Sequence, residues 1–290
     1  MEKNILSQNN LIATEIKEKN DVDVEVLKDQ FLSLNAYSND LVDSLKYAEI
    51  IQKGVLPKDR HFKLHFKDYL LLYLPHSIVS GDFYWVGEVG GKVIFAVGDC
   101  TGHGVPGAML TMLAQSFLNH IVLGKGLTDT AEILVEFDKK FIETFQDEKE
   151  DSYSNDWIDM ALCCYDKKQM TLSFSGAKRK ALHMSEGVQN IYKGSNYPIG
   201  GWQIERNRTF DSETIALKEG DMLYLGSDGF QDQIGGERSK KFGSKKLHIL
   251  LGEIAEDSCK EQKAFLLEKI SGWKKNQEQM DDICLLGIRF

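Results

Sequence analysis

The clearest periodicity in the chain runs from residue 27 to residue 55. Steps of four and three from Leu27 land on Phe31, Leu34, Ser38, Leu41, Leu45, Ala48, Gln52 and Val55, and seven of these nine positions are apolar. So narrow a stripe fits a dimerising coiled-coil seam, or a helix packed on its own domain. Gly54 and Pro57 end it. Residues 1–24 carry only scattered apolar positions and predict a weakly ordered segment or a helix held by a partner. Beyond Pro57 the texture changes to short apolar runs. Strands are expected at 62–66, 69–74, 82–89 and 92–97, with Gly90-Gly91 turning the last pair into a hairpin. Helical spacing follows over 106–123, with Pro106 near the start and Gly124 just past the end. A second helix is expected over 128–146, with Thr128 as its N-cap. An acidic polar loop at 147–156 leads to strands at 158–165, 170–175, 181–184, 188–192, 208–216 and 221–226. Helices at 244–255 and 261–274 and a strand at 283–290 close the chain. Strands in consecutive groups, with helices paired between them, predict an α+β fold of sheets packed on helix pairs rather than alternating βαβ units.

Composition narrows the function classes. A chain of 290 residues, 42% hydrophobic and 27% charged, buries a core without disulfides or structural metal. Thirty-five basic against 44 acidic residues leave a charge of −9. That balance disfavours nonspecific nucleic-acid binding and docking on anionic membranes. No run reaches 18 uninterrupted apolar residues; the best, 109–123, is broken by Gln115, Ser116, Asn119 and His120. The five cysteines are odd in number, Cys163 and Cys164 are adjacent, and no CxxC occurs. Neither a disulfide framework nor a thiolate zinc site fits. A reducing, cytoplasmic setting is expected, and the opening MEKNILSQNN lacks the apolar core of a signal peptide. The chain divides into 1–24, a regulatory or dimerising helix at 25–57, and a folded domain at 58–290.

Four acidic sites carry the candidate chemistry. They are Ser80-Gly81-Asp82-Phe83, Gly98-Asp99-Cys100-Thr101-Gly102-His103-Gly104, Gly226-Ser227-Asp228-Gly229 and Met280-Asp281-Asp282-Ile283. Each lies where a strand-like run meets a loop, so a rigid element positions the carboxylate and the bend exposes it. Converging carboxylates repel one another unless hard cations lie between them, and oxygen-only ligation selects Mg²⁺ or Mn²⁺ over zinc. Glycines let backbone carbonyls approach an ion or a phosphate. A lone Asp beside Gly reads as a turn residue; four such sites with the stretch GDCTGHGVPGA do not.

The blocks VSGDFYW at 79–85, VGDCTGHGVPGAMLTML at 97–113, DWIDMALCCYD at 156–166, LSFSGAKRKAL at 172–182, YPIGG at 197–201, LYLGSDGFQDQIGG at 223–236 and MDDICLLGI at 280–288 carry a resemblance. In this order they resemble the SpoIIE/RsbU-like branch of the metal-dependent (PPM, type-2C) serine/threonine phosphatases. KYAEIIQKGVLPK at 46–58 resembles the linker helix that often precedes this domain. The resemblance implies an α-β-β-α sandwich of two antiparallel sheets flanked by helix pairs, behind an N-terminal helix able to form a coiled coil. It implies two Mn²⁺ or Mg²⁺ ions held by Asp82, the bridging Asp99, the Cys100 backbone carbonyl, Asp228 and Asp281, with the adjacent Asp282 as the alternative. The reaction implied is attack on phosphorus by a metal-bridging hydroxide, with no phosphoenzyme. The substrate implied by analogy is a phosphoserine or phosphothreonine regulator, such as a STAS-domain anti-sigma-factor antagonist, in bacterial partner switching. A noncatalytic, partner-binding pseudophosphatase is the alternative.

Departures from the pattern mark further candidates. Trp157 and Ile158 stand where relatives commonly have Gly and Met, and Lys178-Arg179-Lys180 follows Ser175-Gly176-Ala177 where relatives often carry Asn and Pro. Lys178 and Arg179 are candidates for contact with substrate, against a solvated hairpin tip as the plainer reading. His103 fits a turn-stabilising role, or one supporting the metal ligands from behind, better than that of a general acid. Leu34, Leu41 and Leu45 are the candidate homodimer contacts.

Overall fold

The computed structural model describes residues 2–145, 155–201 and 208–290, with the side chains of 2–25 and Leu27 outside the description. Most of the acidic loop expected at 147–156 also lies outside the described residues. In chain order the elements are α1 (Glu2–Val55), α2 (Asp59–His65), β1 (Asp68–Leu74), β2 (Asp82–Val89), β3 (Lys92–Cys100) and α3 (Val105–Leu118), which a π-helical turn, Asn119–Gly124, prolongs. Then come α4 (Thr130–Phe145), β4 (Trp157–Asp166), β5 (Thr171–Ala177), β6 (Lys180–Ser185), β7 (Val188–Lys193), β8 (Ile199–Gly200), β9 (Glu213–Ala216) and β10 (Met222–Gly226). The last elements are α5 (Gly229–Asp232), β11 (Ile234–Gly235), β12 (Lys240–Lys241), α6 (Ser244–Glu253), α7 (Cys259–Lys274) and β13 (Ile283–Arg289).

The chain forms two units, 1–48 and 49–290. The first is helix alone, and the expected seam residues Phe31, Leu34 and Leu41 are exposed on it. The helix takes in residues 2–24 as well. The second unit begins inside α1 rather than after Pro57, because Gln52 and Leu56 are already buried there, at 4% and 3% exposure.

The second unit is a four-layer α-β-β-α sandwich. One sheet has the order β1-β13-β10-β6-β7, the other β2-β3-β4-β5-β9 with β8 beside β4, and all their pairings between strands are antiparallel. Three apolar layers hold it together. The middle layer, with Phe95, Phe174, Leu223 and Leu286, fills the space between the sheets. The flanking layers seat α3 and α4 on one sheet and α6 and α7 on the other. The Gly90-Gly91 hairpin forms as expected, with Val89 opposite Lys92 and both glycines at positive φ, +59° and +80°.

Local expectations fail in instructive places. Residues 62–66 are not a strand; they lie in and just past α2. A strand would put Phe62, Leu64 and Phe66 on one face, but the structure buries the two phenylalanines and leaves Leu64 73% exposed. That is i,i+4 spacing, the helical pattern. Helix α4 is capped by Asp129 rather than Thr128: its Oδ1 accepts the Glu132 N–H at 2.9 Å. The stretch from Val105 to Gly124 is helical throughout and long and apolar enough to cross a membrane by length and composition. Its Ala114, Leu118, Ile121 and Val122 are buried in the layer between α3 and the second sheet, which accounts for the composition.

Candidate metal centre

The strand register builds the acidic cluster. Asp82 on β2 lies directly opposite Asp99 on β3, and Asp99 lies directly opposite Asp159 on β4. Direct partners across an antiparallel pair point to one face, so three carboxylates stand in a row at one level of the sheet. Like charges so placed destabilise it. The opposite sheet supplies Asp228, just past β10, and Asp281, just before β13. Asp99, Asp159, Asp228 and Asp281 line one open cavity of about 560 Å³, together with Cys100, His103, Trp157 and Arg179. Asp82 is fully buried beside it, and Ser227 Oγ donates to its Oδ2 at 2.5 Å.

Backbone packing sets these positions. The Ser80–Gly81 segment and the loop after β3 lie in contact: a Cβ on Gly81 would sit 2.5 Å from the Gly102 carbonyl oxygen and 3.2 Å from that of Cys100. The Cys100 carbonyl therefore faces the segment that carries Asp82. A Cβ on Gly229 would fall 1.9 Å from the Asp282 carbonyl oxygen, so only glycine fits beside Asp228.

The two adjacent aspartates divide their work. Asp282 is 2% exposed, and its oxygens accept the backbone N–H groups of His76 at 2.6 Å and Gly81 at 2.7 Å. It ties the β13 entry to the segment before Asp82. Asp281 reaches the cavity, and among the described residues its Oδ1 accepts only the Asp282 N–H, at 2.8 Å. His103 packs against His76, with ring centroids 4.6 Å apart.

The basic turn also divides. Lys178 and Lys180 are exposed, and Lys178 Nζ lies 5.6 Å from the Trp157 ring centre. Arg179 turns inward. Its Nη2 pairs with Asp99 and lies 3.2 Å from Asp228 Oδ2 and 3.6 Å from Asp159 Oδ2. Burial raises the carboxylates above their ordinary range. It pushes Asp99 up to about 8 against the pull of Arg179. Asp82 is raised by burial and then by the neighbouring Asp99 charge. Asp159 and Asp281 are raised chiefly by burial.

Among the described residues, no three acidic, histidine or cysteine side chains close on one point as a finished ligand shell; Arg179 stands among the acids. The donor set still fits a hard divalent ion. It is all oxygen, it is buried where carboxylates resist ionising without a cation, and Asp159 Oδ1 is buried without a partner. The sequence reading missed Asp159, Ser227 and His76. The one signal for Asp159 was an acid inside the apolar run of 157–164.

A two-sheet sandwich flanked by helix pairs, with acids from both sheets meeting at one cavity, is the type-2C phosphatase architecture. The family model for stage II sporulation protein E (SpoIIE) matches residues 89–290. Among solved structures, the chain is 32% identical to the SiaA PP2C domain of Pseudomonas aeruginosa, covering 88% of this chain and 99% of that one at a TM-score of 0.78. The PP2C phosphatase domain of Bacillus subtilis SpoIIE, solved with a fragment of its regulatory domain, is 17% identical over 77% of this chain and 63% of that one, at 0.61. The RsbU and RsbW domains of a Mycobacterium tuberculosis protein give 19%, 77%, 59% and 0.60. No curated protein matches the chain. The chain belongs to the SpoIIE/RsbU-like branch of the PPM, type-2C, phosphatase family.

Proposed function

We propose that the protein is a Mg²⁺- or Mn²⁺-dependent phosphatase acting on phosphoserine or phosphothreonine of a regulatory protein, a STAS-type anti-sigma-factor antagonist by family analogy. The observation that carries this reading is the convergence of Asp99, Asp228 and Asp281 on one cavity, with Asp82 buried beside it. In it, Asp82, Asp99, Asp228, Asp281 and the Cys100 carbonyl hold two divalent ions, and Asp282 braces the backbone. When bound, such ions acidify a water nucleophile and neutralise phosphoryl charge. The chain's own residues do the rest. Ser227 fixes the Asp82 carboxylate, and Asp282 fixes the segment leading to it. Trp157 walls the cavity, and Lys178 and Arg179 stand where a substrate's phosphate or acidic residues would meet them. Partner switching is supported by the family and by the structural relative in which RsbU and RsbW domains occur together. In this reading α1 joins two copies through Leu34, Leu41 and Leu45. An Asp99→Asn variant is expected to lose Mn²⁺-dependent release of phosphate from a phosphoserine protein; full turnover would refute the assignment. A Leu41→Asp/Leu45→Asp variant is expected to be monomeric in sedimentation, and one that stays dimeric would refute the seam.

A further inference from the structure

Asp159 stands outside the four aspartates assigned to the ions, yet it lies level with Asp82 and Asp99 in the sheet and faces the same arginine as Asp99 and Asp228. Arg179 is 10% exposed at its side chain, and its contacts with Asp99, Asp159 and Asp228 all run through one nitrogen, Nη2. A guanidinium carries five N–H donors in a rigid planar fork. The Nε of Arg179 is buried and has no partner. An unpaired buried donor on a charged group is costly, so the guanidinium has a donor to give beyond its Nη2 contacts. The fork matches two oxygens of a phosphate better than any single carbonyl.

The arginine is also aimed. The turn between β5 and β6 holds Lys178 at φ +58°, and the neighbouring segment grips it on both sides. Lys178 N–H donates to the Ser195 carbonyl at 2.9 Å, and the Arg179 carbonyl accepts from Gly194 N–H at 3.0 Å. A Cβ on Gly194 would lie 2.3 Å from the Gly176 carbonyl oxygen, so the segment cannot drift from the turn. Asp159 is held by the β4 ladder, with one oxygen toward Arg179 and the other unpartnered.

We infer that Asp159 and Arg179 form a phosphate-seating pair: Arg179, on the cavity wall, offers its guanidinium donors to the oxygens of a phosphate monoester, and Asp159 keeps the guanidinium in place. This rests on the phosphatase reading and deepens it. Asp99 and Asp228 are shared with the ions, so Asp159 is the carboxylate left to the arginine. Arg179 is then a binding residue and Asp159 a positioning residue. An arginine that only neutralised the acids would need charge but not a fork, and lysine would replace it.

The test is calorimetric titration of the Mn²⁺-loaded full chain with inorganic phosphate, beside a separate Mn²⁺ titration. Arg179→Lys keeps the charge and removes the fork. It is expected to bind Mn²⁺ like the unaltered protein and phosphate about ten-fold more weakly. Asp159→Asn is expected to keep Mn²⁺ affinity and to lose phosphate affinity about three- to ten-fold. The variants are read independently, so a folding defect in one leaves the other decisive. Unchanged phosphate affinity in Arg179→Lys would overturn the pair. Loss of Mn²⁺ binding in Asp159→Asn would also overturn it, making Asp159 a metal ligand. An unaltered protein that binds Mn²⁺ but no phosphate overturns the pair too. One that binds both yet hydrolyses no ester overturns the phosphatase reading and leaves the pair standing.

Discussion

Replacing Asp282 by alanine removes a structural brace, whereas replacing Asp281 removes a cavity carboxylate, and the two losses are separable. Asp282 accepts two backbone N–H groups, a partly buried one from His76 at 2.6 Å and a buried one from Gly81 at 2.7 Å. A hydrogen bond to a charged group contributes about 1.5–3 kcal/mol, and a donor left buried without its acceptor carries its desolvation penalty as well. Asp282→Ala is therefore expected to lose about 3–5 kcal/mol, a large part of the roughly 5–15 kcal/mol of a typical domain. Asp282→Asn retains one acceptor and is expected to lose about half as much. Asp281 is partly exposed and among the described residues accepts only the Asp282 N–H, so Asp281→Asn is expected to cost about 1 kcal/mol or less. Urea unfolding of the metal-free protein reads the stability, and Mn²⁺ calorimetry reads the site. The midpoint should fall steeply for Asp282→Ala and hardly for Asp281→Asn, while Mn²⁺ affinity should fall steeply for Asp281→Asn. Asp282→Ala at native stability with Mn²⁺ binding abolished would refute the division of roles.

Three further outcomes follow from packing and charge. Gly81→Ala places a Cβ 2.5 Å from the Gly102 carbonyl oxygen, a backbone atom with little room to retreat. A loss of about 2–4 kcal/mol in thermal or urea unfolding is expected, and a variant as stable as the native chain contradicts the close approach. All five thiols are buried, and burial raises each of them, Cys259 to about 12. A thiol-reactive disulfide reagent at pH 8 should label none in the native protein and all five in denaturant. In the metal-free protein the buried carboxylates bind protons more tightly folded than unfolded, and Asp99 does so up to about pH 8. Stability should then fall as pH rises from about 4 toward 8, with a slope of up to about 1.4 kcal/mol per pH unit for each extra proton held. Excess Mn²⁺, which binds the ionised form, should reverse that slope, and a metal-free protein that gains stability over this range contradicts it.

The parts of the fold that rest on local chemistry were legible in the sequence. The Gly90-Gly91 hairpin, the Pro106 helix start and the three aspartates beside glycines, Asp82, Asp99 and Asp228, each announce themselves within a few residues. The Ser258–Glu261 capping box is equally local but escaped the sequence reading, which expects α7 from 261; the helix opens at Cys259 instead. What was not legible depends on partners far along the chain. Asp159 joins the acids only because β4 pairs with β3 in one register, and a slip of one residue would turn it to the other face. Arg179 sits between two exposed lysines and reads as part of a solvated tip; its inward turn follows from the grip of residues 194–195. The five-residue stretch 62–66 fits either period, and only burial of Phe62 and Phe66 together, with Leu64 outside, selects helix. Asp281 and Asp282 cannot be ranked by adjacency, since the His76 and Gly81 amides that claim Asp282 lie about two hundred residues away.

The most direct measurement is hydrolysis of a generic aryl phosphate by the purified full chain, with and without Mn²⁺, beside an Asp228→Asn variant. The account expects turnover that requires Mn²⁺ and vanishes in the variant. A folded protein that binds Mn²⁺ and turns nothing over, or a variant as active as the native chain, would contradict it.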